Sequence, residues 1–191
     1  TGRFIDTTLP TAKYLVDTTQ GTVEFAAGSS TVENINPADD TAADYNNVII
    51  SGAVKLAGNI KTKGSFTVSQ ALDGNSKALN IGTKLTATAT ITDVTTLTVN
   101  GDASIGADIT TSGSQKYQGK VTLTQDVTLK AKNNITFEDN ATITGASYNL
   151  TLDNDSTHQA DYDLNKDVTV KSLTANIATG KKLSIPSPHR T

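Results

Sequence analysis

Carboxylate side chains are concentrated in two short segments, which are the first places where this sequence could do chemistry. One group consists of Asp153, Asp155, Asp161 and Asp163, and the other of Asp39, Asp40 and Asp44. Oxygen ligands of this kind suit Ca²⁺. The segment from Asp153 begins like an EF-hand loop, but His158 stands where that loop needs Gly, and Leu164 where it needs Glu. We therefore predict solvated acidic loops and no metal site.

Catalytic side chains are scarce. The only histidines are His158 and His189. A nucleophilic serine needs a histidine that a carboxylate orients, and the polar residues around His158 give no sign of a protected pocket. The two arginines, Arg3 and Arg190, stand near the ends, so the rest of the sequence has no guanidinium for uronates or phosphates. We predict no catalytic residue, no cofactor site and no enzymatic activity.

The composition limits the kind of core that the chain can build. Hydrophobic residues make up 36% and aromatic residues 5% of the 191 residues, and Cys, Met and Trp are absent. A long core of small aliphatic side chains is easier to build from this composition than a thick one. The net charge of −3 argues against a nucleic-acid partner. No apolar run is long enough for membrane insertion of this segment.

Threonine is the most frequent residue type in the sequence. It alternates with aliphatic residues, most clearly from Leu85 to Thr92. A period of two is that of a β-strand, so the aliphatic residues should face inward and the threonines outward. The predicted inward residues are Leu85, Ala87, Ala89, Ile91, Leu97, Val99, Val121, Leu123, Val127, Leu129, Ile135, Phe137, Leu150, Leu152, Val168 and Val170.

Short strands separated by Gly and Asn return at intervals of about 20 residues, which is typical of a repeat architecture. Strands this short suit the sides of a coil better than hairpins. We predict an all-β fold, a parallel β-helix of roughly nine coils, with an antiparallel β-sandwich as the alternative. Residues 1–185 should form one solenoid domain with loops at 36–47 and 153–167, and residues 186–191 a tail or linker.

Rows of outward threonines on stacked coils would form a flat lattice of hydroxyl groups, a surface that could bind ice. The pattern is interrupted, because charged residues take the place of the second threonine in four strands: Lys130, Glu138, Asp153 and Lys171. Charged side chains bind their own water and would break such a lattice. The sequence pattern therefore argues against ice binding.

Several segments carry a recognisable repeat. They are Tyr45–Gly52, Leu56–Ile60, Thr111–Leu123, Asp126–Leu129 and Asn134–Phe137. These segments resemble the repeats of filamentous-haemagglutinin-like adhesins and autotransporter passengers, and the likeness extends over residues 21–176. The resemblance implies a right-handed parallel β-helix, export across the outer membrane and a role in adhesion. It assigns no functional residues, because the repeat defines positions of the scaffold only.

Taken with these patterns, the resemblance implies a non-enzymatic segment of an exported bacterial surface adhesin, secreted or on the cell surface. It would serve as a scaffold and contact host or neighbouring cells through protein or glycan. Two alternatives stay open: a self-assembling extracellular filament or surface-layer subunit, and a β-helix carbohydrate-active enzyme. A solenoid end exposes unpaired backbone groups, and residues 2–12 show no capping helix. We therefore also expect self-association through open ends.

Overall fold

Short parallel strands make up nearly all the regular structure of this protein, which is a computed structural model. The structure describes residues 20–26, 31–32, 45–138, 140–153, 158–164 and 167–185. These residues form 19 strands and no helix. The strands stack into a β-solenoid of about seven turns. Each turn has three sides, and we call the three stacks of strands the first, second and third faces.

The strands of each face follow from their pairing. The first face contains β1 (Thr22–Phe25), β3 (Asn47–Ile50), β6 (Ser65–Val68), β8 (Lys84–Ala87), β10 (Asp102–Ile105), β13 (Val121–Leu123) and the first parts of β16 (Ile143–Asp153) and β18 (Val168–Ala175). The second contains β2 (Thr31–Val32), β4 (Val54–Leu56), the first parts of β7 (Leu72–Ile81) and β9 (Ile91–Val99), β11 (Ile109–Thr111), β14 (Val127–Ala131) and the second parts of β16 and β18. The third contains β5 (Ile60–Thr62), the second parts of β7 and β9, β12 (Gln115–Tyr117), β15 (Asn134–Phe137), β17 (Asp161–Leu164) and β19 (Leu183–Ser184).

The pairing shows that the chain winds as a solenoid. Phe66 pairs with Leu85, Leu85 with Ala103, and Ala103 with Val121, so each turn brings the chain back to the same face beside the turn before. The next turns are longer, because Val121 pairs with Ile143 and Ile143 with Val168. All pairings between the described strands are parallel. The alternative of an antiparallel β-sandwich is therefore wrong, because hairpins would give antiparallel pairs.

The prediction of roughly nine coils assumed a uniform spacing and included residues 1–19, which lie outside the described residues. The parallel solenoid itself is confirmed, with about seven turns in the described part.

The core runs through the middle of the solenoid and follows the alternation of the sequence. Of the predicted inward residues, all are buried except Ala89, Val168 and Val170, which are partly buried against the core. The intervening residues Thr86, Thr122 and Thr128 are only partly buried, and Thr88 is exposed. A slip by one residue would bury these hydroxyl groups, so the alternation fixes which side of each strand faces inward.

Parts of the two predicted loops belong to the solenoid. Within 153–167, residues Asp161–Leu164 form β17, and Tyr162 and Leu164 are buried. The sequence Asp-Tyr-Asp-Leu has the same alternation as the other strands. We predicted a loop because the segment is rich in acidic residues. Within 36–47, Tyr45 is buried and bridged to Thr62. Residues 33–44, 154–157 and 165–166 lie outside the described residues, as does the predicted tail 186–191.

Candidate functional site: a hydroxyl-bearing face

The first face carries an uninterrupted row of hydroxyl groups on its outer side. We call this row the central column: Thr67, Thr86, Ser104, Thr122, Thr144 and Thr169. Each of its residues pairs directly with the next one along the solenoid axis. The residues on either side of each of the first four are buried in the core. The strand alternation therefore turns these hydroxyl groups away from the core.

A second row lies two residues after the central column, and in the turns of β6, β8, β10 and β13 this is the first residue after the strand. We call it the edge column, and it contains Ser69, Thr88, Gly106, Thr124 and Ala146. The backbone ladder continues into this column, because the Ser69 N–H donates to the Ile50 carbonyl at 2.8 Å and the Thr88 N–H to the Val68 carbonyl at 2.8 Å. Gly106 and Thr124 donate in the same way to the turn before. The central and edge columns together are the hydroxyl face.

Hydroxyl contacts link neighbouring turns of this face. The Thr122 and Thr144 hydroxyl oxygens are 3.4 Å apart, and the Thr88 hydroxyl donates to the Val68 carbonyl at 3.2 Å. Gly106 occupies a place where a side chain would collide with the Thr124 hydroxyl. Three turns therefore present a pair of hydroxyl residues, whereas the turns of Ser104 and Thr144 present one.

The face is bordered by charge but contains none over five turns. Ile49 stands next to Thr67 in the turn before, and Glu24 stands next to Ile49 in the first described turn; Lys171 follows the central column in the last. Lys84 and Asp102 border it on the side opposite the edge column, where they begin β8 and β10. The uncharged area is therefore two columns wide and five turns long.

Three of the four charged residues that argued against a hydroxyl lattice lie on other faces. Lys130 and Asp153 pair with each other on the second face, and Glu138 follows β15 on the third. Only Lys171 follows a first-face segment, in the last described turn. The sequence argument combined strands from three different faces. Because the fold separates those strands, the argument applies to the first face only at Lys171, beyond the five uncharged turns.

The second and third faces carry charged side chains in their outward positions. On the second face, Lys55 forms an ion pair with Asp73 at 3.5 Å and Lys130 with Asp153 at 2.9 Å. On the third face, Lys116 forms an ion pair with Glu138 at 2.8 Å. These pairs join neighbouring turns, and their exposure to water limits each to a small contribution to stability.

The acidic residues first considered as calcium ligands are divided between two faces. Asp153 ends β16 on the second face, where it also accepts a hydrogen bond from the Asn176 amide at 2.6 Å. Asp161 and Asp163 belong to β17 on the third face, and Asp161 accepts the Lys182 N–H at 2.8 Å. Within the described ranges, no three His, Cys, Asp or Glu side chains are grouped to hold a metal ion. Asp155, Asp39, Asp40 and Asp44 lie outside those ranges.

His158 is partly buried and comes shortly before β17. His189 lies outside the described residues. The described part of the chain also contains no helix long and apolar enough to cross a membrane.

A polar cluster lies inside the solenoid behind the third face. The Gln115 side chain donates to the carbonyl groups of Ile109 at 3.1 Å and Lys130 at 2.7 Å, and it accepts the Tyr117 hydroxyl at 2.9 Å. The Tyr117 ring stacks on Phe137 with centroids 5.1 Å apart. Burial raises the pKa of Tyr117 well above its ordinary value, so this hydroxyl stays protonated and acts as a donor.

The pKa of one carboxylate between the first and second faces, that of Asp126, is changed by its hydrogen-bond partners. The backbone N–H of Asn149 donates to Asp126 at 2.9 Å and the Asn149 side chain at 2.8 Å, and these bonds lower the pKa of Asp126. Asn149 in turn accepts the Ser172 hydroxyl at 2.8 Å. This chain of hydrogen bonds joins three successive turns and leaves Asp126 fully exposed to water.

Sequence reasoning recognised the outward threonines but missed their assembly into one face. The signal that finds them is the spacing of hydroxyl residues by one turn, as in Thr67, Thr86, Ser104 and Thr122. Comparison of the chain with known protein families, with curated proteins and with solved structures finds no match.

Proposed function

We propose that this chain is a non-enzymatic segment of an exported bacterial surface adhesin, which acts as a rigid scaffold and as a cell-contact surface. The observation that carries the proposal is the solenoid itself. Its core is fixed by inward aliphatic residues, so its three outer faces are free to vary. About seven turns at about 4.8 Å each give a rod on the order of 35 Å. The proposal also includes the right-handed winding that the adhesin resemblance implies and the total of roughly nine coils predicted from the spacing of the strands.

The adhesin proposal is tested with beads that carry the folded chain. We expect saturable retention on bacterial or host cells, measured by flow cytometry, that excess soluble chain abolishes. Beads carrying an unrelated protein of similar net charge are the control. Retention that soluble chain fails to compete, or no retention on any cell type, contradicts the proposal.

A second candidate is a subunit of an extracellular filament or surface layer. It is favoured by the last described turn, where Ile177 is 47% exposed and Ile185 is 62% exposed. Val168, Val170 and Leu183 in the same turn are only partly buried. Contact with a second copy through this end would cover them. Size-exclusion chromatography over a range of concentrations separates the candidates, because a filament subunit polymerises and an adhesin segment stays monomeric.

A carbohydrate-active enzyme is the third candidate, and it rests on the solenoid fold alone. Release of reducing or unsaturated ends from uronate-containing or neutral polysaccharides would establish it and overturn the non-enzymatic proposal.

A further inference from the structure

The hydroxyl face differs from an ordinary solvated surface in its regularity. Its backbone is held by a continuous parallel ladder, so its turns repeat at about 4.8 Å along the axis. Each edge-column residue from Ser69 to Thr124 lies one residue beyond the end of its strand, two residues from the central column, which is about 6.7 Å along an extended chain. The side chains thus form a two-dimensional array, complete at Thr67 and Ser69, at Thr86 and Thr88, and at Thr122 and Thr124.

The chemistry of the array suits ordered water. Each hydroxyl group offers one donor and two acceptor sites, and the branched side chain of threonine limits its rotation. The threonine methyl groups add apolar contact between the hydroxyl groups. Charged side chains would impose their own hydration, and the five turns from Thr67 to Thr144 have none in either column. Such an array can hold water molecules in fixed, periodic positions.

We infer that the hydroxyl face binds the surface of ice. An ice surface is itself a periodic array of hydrogen-bond donors and acceptors, and a stiff array of hydroxyl and methyl groups can match it over several turns at once. This inference goes beyond the proposed function and does not depend on it.

Two other occupants fit the face less well. A polysaccharide would be expected to stack on aromatic rings, and neither column contains one; Tyr117 and Tyr162 are buried inside the solenoid. A protein partner needs about 800 Å² on each side for a stable interface. Two columns over five turns cover only about 320 Å², estimated from strand and turn spacings.

The test uses the full chain fused to a fluorescent protein and frozen slowly into a growing ice surface. We expect the unmodified fusion to enter the ice, and Thr122→Lys and Thr86→Lys to be left in the liquid. The matched control is Thr136→Lys, at the same strand position on the third face between Lys116 and Asp163. It should enter the ice like the unmodified chain. Thermal melts establish that each variant is folded.

The inference is overturned if the unmodified fusion is excluded from ice as the fluorescent protein alone is. It is also overturned if both first-face variants still enter the ice, or if Thr136→Lys is excluded as strongly as Thr122→Lys. The two first-face variants lie in different turns, so a folding failure of one leaves the other as the test. Inhibition of ice recrystallisation by the same set of proteins gives a second measurement without a fluorescent tag.

Discussion

The first and third faces share one backbone design but assign opposite chemistry to their two sides. Behind the first face, the inward residues from Phe66 to Leu123 are all apolar, and its outward columns carry hydroxyl groups without charge. Behind the third face, Gln115 and Tyr117 place polar groups inside, while Lys116 and Glu138 place charges outside. The ladder of parallel strands therefore does not determine the chemistry of a face. Each face can specialise while the stack stays the same.

The largest change in stability should come from the apolar core behind the first face. Leu123 is buried in an apolar column, so Leu123→Ala should lower the free energy of unfolding by about 2–5 kcal/mol through the cavity that it leaves. The neighbouring outward change Thr122→Ala should alter it by less than about 0.5 kcal/mol. Chemical denaturation measures both. Equal losses for the two variants would contradict the assignment of inner and outer sides.

The polar interior of the third face gives the next largest effect. Tyr117→Phe keeps the ring against Phe137 but leaves the Gln115 side-chain oxygen without its donor. An unsatisfied buried acceptor should cost about 1–3 kcal/mol. The control is Tyr148→Phe at a partly buried position, where water replaces any lost contact and little change is expected. If Tyr117→Phe is as stable as the unmodified chain, the cluster does not stabilise this face.

A third substitution should change stability in the opposite direction. Thr111 is fully buried, and its hydroxyl oxygen has no hydrogen-bond partner. Thr111→Val keeps the shape of the side chain and removes the buried hydroxyl group that has no partner. It should therefore raise the free energy of unfolding by about 1 kcal/mol. Thr110→Val, at the adjacent outward position, should leave it nearly unchanged. A thermal melt that shows a clear loss for Thr111→Val would indicate that this hydroxyl group has a partner.

The smallest effect should come from the charges outside the third face. Lys116 and Glu138 are 41% and 39% exposed, so a double-mutant cycle with alanine should give a coupling below about 1 kcal/mol that salt weakens. The comparable first-face pair, Thr122 and Thr144, should give a coupling that does not depend on salt. A salt-independent coupling at Lys116 would show that this pair is more protected from water than its exposure indicates.

The sequence predicted the parts of the fold that depend on local alternation. It did not predict on which face each strand lies, because that depends on the corners between strands. The inward set and the parallel stacking follow from apolar residues at every second position and from strands too short for hairpins. The face on which a strand falls depends on corner length, which varies. Between Asp73 and Lys77, the corner contains Asn75 and Ser76 with φ of 47° and 57°, and the register shifts there. Asp93 has φ of 51° at the equivalent corner of the next turn, where it accepts the Ser76 hydroxyl at 3.2 Å.

These corners explain why the hydroxyl face could not be found by counting threonines. The stretch of chain that separates a strand from its partner in the next turn is short between Ala103 and Val121 and clearly longer between Ile143 and Val168. A fixed period therefore mixes residues of different faces. The acidic segment shows the same limit, because the tertiary contacts of β17 made a strand where composition alone indicated a loop.

The turn-by-turn hydrogen bonding gives the solenoid a characteristic response to tension. If its two ends were pulled apart along the axis, the ladders between neighbouring turns would carry the load one after another. Each rupture would release a single turn of about 20 residues, and the molecule would lengthen in steps of about 70 Å, since an extended chain spans at most about 3.3–3.6 Å per residue. The remaining turns would stay folded during each step. A tether built this way dissipates a sudden pull gradually.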